Sequence, residues 1–261
     1  MLLVQVDSFT AKPFAGNPAA VCLLEEARDP VWMQDVAREM NLSETAFMRR
    51  RDDGSWDLRW FTPAIEVDLC GHATLASAHV LWEEKIARPD EPLVFQTRSG
   101  ALTCHQRADR IEMDFPKRPV TEIDPPSDVI DAVGAKPIST WESAGCYLFE
   151  YESAEDIRAL TPDPTSMHAI PDLYVCVTAP GGTDGFDFVS RFFAPGAGFD
   201  EDPVTGSSHC SLADFWSKRS GRTDFRAFQC SARGGVVFAR IEGDRVHIGG
   251  QAVTVLRGEL V

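Results

Sequence analysis

Several side chains that can exchange protons stand where a helix starts or has just ended. Glu44 follows the end of a helical stripe, Cys70 and His72 flank a glycine at the start of an apolar helix, and Asp202 precedes a second such start. Carboxylate, imidazole and thiol groups are the ones that enzymes use for general acid–base catalysis. These positions therefore predict proton-transfer chemistry, provided that the surrounding elements bring them together.

The surroundings of Glu44 support two interpretations. Its neighbours Leu42, Ala46 and Phe47 are apolar, and partial desolvation moves a carboxyl group towards exchanging protons near neutral pH. The alternative is structural, because Asn41 followed by a glutamate three residues later matches a capping box at a helix start. The local sequence leaves both interpretations open.

His72 and Cys70 lie where a helix dipole acts. The positive helix end should lower the pKa of His72 and keep its imidazole neutral, and it should ease formation of a Cys70 thiolate. A capping histidine and a buried, inert thiol are the structural alternatives. Gly71 and Ala73, on either side of His72, are predicted substrate contacts. No second ligand pair stands at a usable spacing, so the sequence predicts no metal site.

The turn after Asp202 offers a site for an anion. Thr205, Gly206, Ser207 and Ser208 open the second helix, and N–H groups and hydroxyls at a helix start can bind a substrate carboxylate. The chain carries a net charge of −15. An anionic substrate therefore needs such a local binding site to overcome the overall repulsion.

A short pattern occurs twice in the chain. Arg59-Trp60-Phe61-Thr62-Pro63 reappears 132 residues later as Arg191-Phe192-Phe193-Ala194-Pro195, and each copy is followed by an acidic loop, a polar turn and a helix. A repeat at half the chain length predicts two similar lobes, with the proton-exchanging residues in a cleft between them. The Pro-rich stretch 116–126 is the predicted linker. It divides the chain into lobes 1–116 and 117–261, with the last strand able to cross back to the first lobe.

The predicted central helices cover residues 72–86 and 206–219. The first is apolar all round before Glu83, and a helix without a polar face is enclosed on all sides. Strands and helices intermix without a steady βαβ order, which favours an α+β fold over a doubly wound sheet. The expected architecture is two pseudo-symmetric lobes, each a mixed β-sheet rolled around a central helix.

Composition limits the function classes. The apolar fraction of 44% is typical of a globular protein, and the strong negative charge argues against nucleic-acid binding. No segment is long and apolar enough for a membrane span, and the alternating N-terminus predicts a strand and not a signal peptide. Seven cysteines without a CxxC motif predict reduced thiols in a cytoplasmic protein. No phosphate-binding glycine motif is present, so no nucleotide cofactor is expected.

Motifs along nearly the whole chain resemble those of one family. They occur in the family's order at residues 7–9, 14–21, 40–45, 59–63, 70–74, 202–207 and 248–252. The sequence resembles the PhzF family, the phenazine-biosynthesis-protein-like isomerases. This resemblance implies the diaminopimelate-epimerase-like fold, with two lobes and an active site between them. It also implies a homodimer.

The resemblance assigns roles to residues as well. It implies that Glu44 shuttles a proton on a small carboxylate-bearing substrate without a cofactor, and that His72 and Asp202 complete the site. Related epimerases and racemases use two cysteines, and here Cys70 matches the first position while Asp202 stands near the second. A two-base amino-acid epimerase that pairs Cys70 with Cys210 is therefore an alternative. A non-catalytic ligand-binding protein of the same fold is the other.

Overall fold

The computed structural model describes all residues from Met1 to Val261 and divides into two compact units. Unit 1 comprises Met1–Phe115 and His247–Val261, and unit 2 comprises Pro116–Val246. Residues 247–261 thus belong to unit 1. None of the helices has the length and apolar character needed to span a membrane.

The first 115 residues form eight strands and two helices. In chain order they are β1 (Leu2–Ser8), β2 (Asn17–Leu24), α1 (Pro30–Met40), β3 (Glu44–Arg50), β4 (Trp56–Phe61), β5 (Glu66–Val67), α2 (Gly71–Glu83), β6 (Leu93–Thr97), β7 (Gly100–Arg107) and β8 (Arg110–Pro116), whose last residue is already assigned to unit 2.

The rest of the chain repeats this alternation with additional short helices. Its elements are β9 (Thr121–Glu122), α3 (Ser127–Val133), β10 (Ser139–Ser143), β11 (Cys146–Glu150), α4 (Ala154–Ala159), α5 (Pro164–His168), β12 (Val175–Pro180), β13 (Phe188–Ala194), a 3₁₀ turn (Pro195–Ala197), β14 (Phe199–Asp202), α6 (Ser208–Ser220), β15 (Asp224–Gln229), β16 (Gly235–Glu242), β17 (Arg245–Gly250) and β18 (Ala252–Glu259).

The sheet of unit 1 is mixed and surrounds α2. Its order is β18-β1-β2-β3-β4-β6-β7-β8, and β5 is also paired with β4. The pairs β2–β3 and β4–β6 are parallel and the others antiparallel. Helix α2 contacts β1, β2, β3 and β18, and its residues from Gly71 to Ala78 are all buried. The enclosed apolar helix predicted from the sequence is confirmed.

Unit 2 repeats the pairing scheme. Strands β10, β11, β12, β13, β15 and β16 follow one another as β1, β2, β3, β4, β6 and β7 do, with β14 on β13 as β5 is on β4. The parallel pairs also correspond, since they are β11–β12 and β13–β15. Helix α6 is buried from Ser208 to Trp216. The predicted α+β class with two similar halves is confirmed.

The repeated arginine performs the same task in each unit. Arg59 donates to both carboxylate oxygens of Glu66 at 2.7 Å, and its guanidinium lies 5.2 Å from the ring centre of Phe61. Arg191 donates to Glu201 at 2.8 and 2.9 Å and lies 4.9 Å from the ring centre of Phe193. In both units this pair ties the strand that precedes the central helix to its short hairpin partner.

Candidate active site

Glu44 and His72 are placed by the starts of two elements in unit 1. Glu44 is the first residue of β3, and His72 is the second residue of α2. Asn41 ends α1 in the left-handed conformation with φ 50°. The capping-box interpretation of residues 41–44 is therefore wrong, because the helix stops at Asn41 and does not begin there.

Three proton-exchanging groups of unit 1 meet around the His72 ring. Its Nε2 lies 3.1 Å from Glu44 Oε2, an ion-pair distance, although the two atoms are not aligned as a hydrogen bond. Its Nδ1 lies 3.5 Å from Cys70 Sγ. The His72 side chain is 6% exposed and that of Glu44 is 14% exposed. Because Glu44 Oε2 is fully buried, the exposed area of the Glu44 side chain belongs to its other atoms.

Two polar residues that the sequence argument did not single out hold His72 in place. The Ser8 hydroxyl donates to the His72 carbonyl at 2.8 Å, and Asn17 Nδ2 lies 3.2 Å from His72 Nδ1. In this amide orientation Asn17 donates to the neutral ring, whose proton is then on Nε2 and faces Glu44. Rotating the amide by half a turn brings Oδ1 to the ring and suits the doubly protonated form. Asn17 can thus accommodate either charge state of His72.

The charge state of His72 differs from the sequence expectation. Burial alone would lower its pKa, but negative charge at the Cys70 and Glu44 positions outweighs burial and raises the pKa of His72 well above its usual value. We attribute the rise at neutral pH to Glu44, since Cys70 is a protonated thiol there. The lowered pKa expected from the helix start is therefore wrong in direction, because negative charge beside the ring outweighs burial.

Cys70 also departs from expectation. Burial and then the negative charge of Glu44 raise the pKa of its thiol, and these effects exceed the opposing influence of His72 and of the Ala73 N–H. The predicted ease of thiolate formation is therefore wrong. Gly71 and Ala73, predicted as substrate contacts, are both buried at the start of α2.

The same three residues bear on metal binding. Ligand atoms of Glu44, Cys70 and His72 all lie within 4.8 Å of one another, which is close enough for a metal ion. The fold therefore brings Glu44 close to Cys70 and His72, which the sequence alone did not indicate as metal ligands. Glu44 lies against Nε2 of the ring and Cys70 against Nδ1.

In unit 2, Asp202 organises the turn before α6. The Thr205 hydroxyl donates to Asp202 Oδ2. The Thr205 N–H donates to Gln229 Oε1 at 2.9 Å, and Gln229 Nε2 donates to the Asp202 carbonyl at 2.8 Å. Gln229 is the last residue of β15 and was not predicted as a site residue. Its amide locks the turn in place from the neighbouring strand.

The turn keeps only part of the expected set of donors. The Thr205 N–H is engaged by Gln229, so it cannot bind a substrate, and the Ser208 hydroxyl donates to the Thr205 carbonyl at 2.9 Å. The N–H groups of Gly206 and Ser207 donate to no protein acceptor, and Ser207 forms no side-chain cap. The anion-binding capacity predicted for this turn therefore rests on Gly206 and Ser207.

A second buried histidine lies near the start of α6 in unit 2. His209 is fully buried and is the second residue of α6, as His72 is of α2. Its Nδ1 donates to the Thr205 carbonyl at 2.8 Å, so Nε2 carries no proton and has no partner. Burial lowers the pKa of His209 to about 4. It is therefore neutral at physiological pH.

Comparison with known proteins identifies the family. A family profile described as phenazine biosynthesis-like protein matches residues 6–258. The chain belongs to the PhzF family. It is 47% identical to a protein named an uncharacterized isomerase from Halalkalibacterium halodurans, over 98% of this chain and 97% of that one.

Solved structures agree with this assignment. A PhzF-family phenazine biosynthesis protein from Enterococcus faecalis matches with a TM-score of 0.93 and 39% identity, over 100% of this chain and 98% of that one. A probable proline racemase from Agrobacterium radiobacter matches with a TM-score of 0.65 at 13% identity, over 100% and 92% of the two chains. The second likeness concerns the fold alone, which is that of the diaminopimelate-epimerase-like superfamily.

Proposed function

We propose that this PhzF-family protein is an isomerase that moves a proton on a small carboxylate-bearing substrate without a cofactor. The observation that carries the proposal is the pair of Glu44 and His72, held 3.1 Å apart with the imidazole buried and the carboxylate partly exposed. A carboxylate fixed in this way can take up a proton and return it. The isomerase named among the relatives supports the reaction class.

Glu44 is the proposed acid and base. Its carboxylate would remove a proton from a saturated carbon next to a double bond that is conjugated with the substrate carboxylate, and the electron pair left behind would delocalise into this unsaturated system. The carboxylic acid formed on Glu44 would then return the proton to a different carbon. The double bond changes position, no electrons are gained or lost overall, and Glu44 is restored.

His72 and Asp202 have supporting parts in the proposal. His72 acts as a buried counter-ion for Glu44, oriented by Asn17 and by the bond from Ser8 to its carbonyl. Asp202 fixes the Thr205 hydroxyl and so shapes the turn whose N–H groups suit a substrate carboxylate. Neither role requires these residues to form a bond to the substrate carbon.

A two-thiol epimerase fits the side chains poorly. Cys70 is buried and its pKa is raised by burial and by Glu44. Cys210 is 1% exposed within α6, and burial raises its pKa to about 12. A thiol must ionise and reach the substrate to act as a base. Glu44 is the better base, because it is the most exposed of the three groups clustered in unit 1.

Deuterium exchange tests the proposal. Small unsaturated carboxylates and amino acids are incubated with the protein in heavy water, and uptake of deuterium at carbon is followed by NMR. Glu44→Gln keeps the shape of the side chain but cannot exchange a proton, so uptake should fall by about 10²–10⁴-fold. Glu91→Gln, the same change at an exposed position, is the matched control. Uptake that persists in Glu44→Gln would exclude Glu44 as the base.

A further inference from the structure

A cavity of about 260 Å³ lies beside the start of α6 within unit 2. Hydroxyl groups from the α6 side line one part of it, and side chains of β11 and β12 line another. Leu148 and Cys176 stand opposite each other in the parallel register of these strands, and Phe192 adds an aromatic wall. The volume is slightly below the range of about 300–1,000 Å³ typical of drug-sized ligands. The cavity therefore suits a small molecule with an apolar body.

Arg118 supplies the only cationic side chain in the cavity lining, and no carboxylate faces it there. Its guanidinium has no ion pair and no hydrogen bond to any protein group. Its charge nevertheless acts on the cavity. Burial raises the pKa of Cys146 to about 12, and the positive charge of Arg118 opposes that rise.

The residues on either side of Arg118 are fixed to α6. The Lys117 ammonium lies 3.2 Å from Asp214 Oδ1, and the Val120 N–H donates to Asp214 Oδ2 at 3.0 Å. Lys218 also donates to the Val120 carbonyl at 2.9 Å. The backbone that carries Arg118 is thus held along the helix whose first turn lines the cavity. The guanidinium is positioned while its own donors stay unused.

Hydroxyl groups beside the cavity offer further donors. Ser211 donates to the Ser143 hydroxyl at 3.0 Å, which leaves the Ser143 proton free to point to a ligand. Ser207 also lines the cavity, and its N–H has no protein acceptor. A planar carboxylate can accept two parallel bonds from a guanidinium and further bonds from hydroxyls.

We propose that this cavity binds the carboxylate of a small monocarboxylic acid, with Arg118 as its charged partner and the apolar wall around Phe192 and Leu148 receiving the rest of the molecule. The identification of this ligand as the substrate rests on the proposed function. The presence of the site does not, since it concerns binding alone. Arg118 is therefore the residue that would select a carboxylate over a neutral analogue.

Binding of simple probes tests the site without any need for turnover. Benzoate, the neutral analogue benzamide and inorganic phosphate are titrated into the full chain at constant ionic strength, with calorimetry and ligand-observed NMR as readouts. We expect benzoate to bind about tenfold or more tightly than benzamide, which loses the charge-assisted bidentate pair. It should also bind more tightly than phosphate, which can pair with the guanidinium but has no apolar body to contact Phe192 and Leu148.

Variants of Arg118 assign the effect to this residue. Arg118→Gln should weaken benzoate binding by about 10- to 100-fold, and Arg118→Lys should retain part of the affinity because it keeps the charge but not the fork. Since Arg118 has no protein partner, the melting temperature of both variants should match the wild type. Arg88→Gln, at an exposed arginine of unit 1, is the control and should bind benzoate normally.

The possible outcomes are distinct. Absent benzoate binding, equal binding by the wild type and Arg118→Gln, or a preference for phosphate would each overturn the carboxylate site. If benzoate binds through Arg118 while deuterium exchange remains unaffected by Glu44→Gln, the binding site stands and the proposed function fails. If the exchange depends on Glu44 but benzoate binding does not depend on Arg118, the proposed function stands and the carboxylate site fails.

Discussion

The second residue of α2 in unit 1 is His72, and the second residue of α6 in unit 2 is His209. Both rings are buried in helices enclosed by similar sheets. His72 lies against a carboxylate, and its pKa is raised. His209 lies against a backbone carbonyl and the ring of Phe188, and its pKa is lowered. The groups around each buried histidine thus decide in which direction its pKa moves.

The largest effect expected from this comparison concerns stability in acid. Because the pKa of His209 is about 4 in the folded state and about 6.5 when unfolded, the unfolded chain takes up the proton first as the pH falls. The folded state is therefore not penalised by His209 above about pH 6.5. As the pH falls from there towards about 4, the free energy of unfolding decreases by about 3 kcal/mol in total because of this residue.

Urea unfolding of the wild type and of His209→Gln checks this prediction. Between about pH 7 and about pH 5 the wild type should lose about 2 kcal/mol more of its free energy of unfolding than the variant does. His72 should contribute with the opposite sign, because a raised pKa stabilises at low pH and this stabilisation is lost as the pH rises through the folded-state value. Parallel pH dependences for the two proteins would show that His209 does not stay neutral.

The repeated arginine extends the comparison to energetics. Arg191 donates to Glu201 and also to the carbonyls of Ile157 and Leu160, whereas Arg59 shares Glu66 with Arg98. Removing Arg191 leaves the Leu160 carbonyl without its donor and the Glu201 carboxylate, which is 22% exposed, without its cation, whereas the Ile157 carbonyl keeps the Leu160 N–H. Arg191→Ala should therefore reduce the free energy of unfolding by about 3 kcal/mol.

When Arg59 is removed, Glu66 still has Arg98 as an ion-pair partner. Arg59→Ala should cost about 1 kcal/mol, and Arg38→Ala, at a surface pair, should cost less than either. Denaturant unfolding of the three variants measures the difference. Equal losses for Arg59 and Arg191 would mean that the carbonyl contacts in unit 2 do not contribute.

A smaller effect is expected for His72 in turnover. In His72→Ala, water can occupy the space of the ring and donate to Glu44, but it supplies no positive charge. Deuterium exchange should fall by about tenfold, less than in Glu44→Gln, and added imidazole should restore part of the rate. A loss as large as that in Glu44→Gln would show that His72 itself transfers the proton.

The smallest effect is expected for Cys70. If Glu44 is the base, Cys70→Ala should exchange deuterium at nearly the wild-type rate, because the buried thiol takes no part. Cys104→Ala, at another fully buried thiol in unit 1, controls for the loss of packing. Abolished exchange in Cys70→Ala alone would favour the two-thiol mechanism.

Much of the fold is predictable from the sequence, because helix caps and apolar patterns are local. Asp29 caps α1 as expected, and its carboxylate accepts from the Val31 N–H. The first central helix is predicted to extend to residue 86 but ends at Glu83. Two residues later Lys85 adopts a φ of 58°, which a right-handed helix cannot contain. Strand β14 was predicted as an acidic loop, since its hydrophilic residues pair with β13 only in the folded sheet.

The sequence names candidate residues but does not show their electrostatics. Glu44, His72 and Cys70 lie close together in unit 1, and the pKa of His72 depends in part on Glu44, which is 28 positions earlier in the chain. Asn17, Gln229 and Arg118 have no local signal, because each acts on a residue or cavity formed by other elements.

The return of the C-terminal segment to unit 1 has a consequence for biosynthesis. Strand β18 pairs with β1 along its whole length, and the Leu260 N–H donates to the Met1 carbonyl. Because β18 follows residues 116–246 in the chain, this edge of β1 stays uncovered until after the residues of unit 2 have been synthesised. Unit 1 therefore cannot complete its sheet before that point. Its exposed β1 edge is the part of the nascent chain that most needs protection from aggregation.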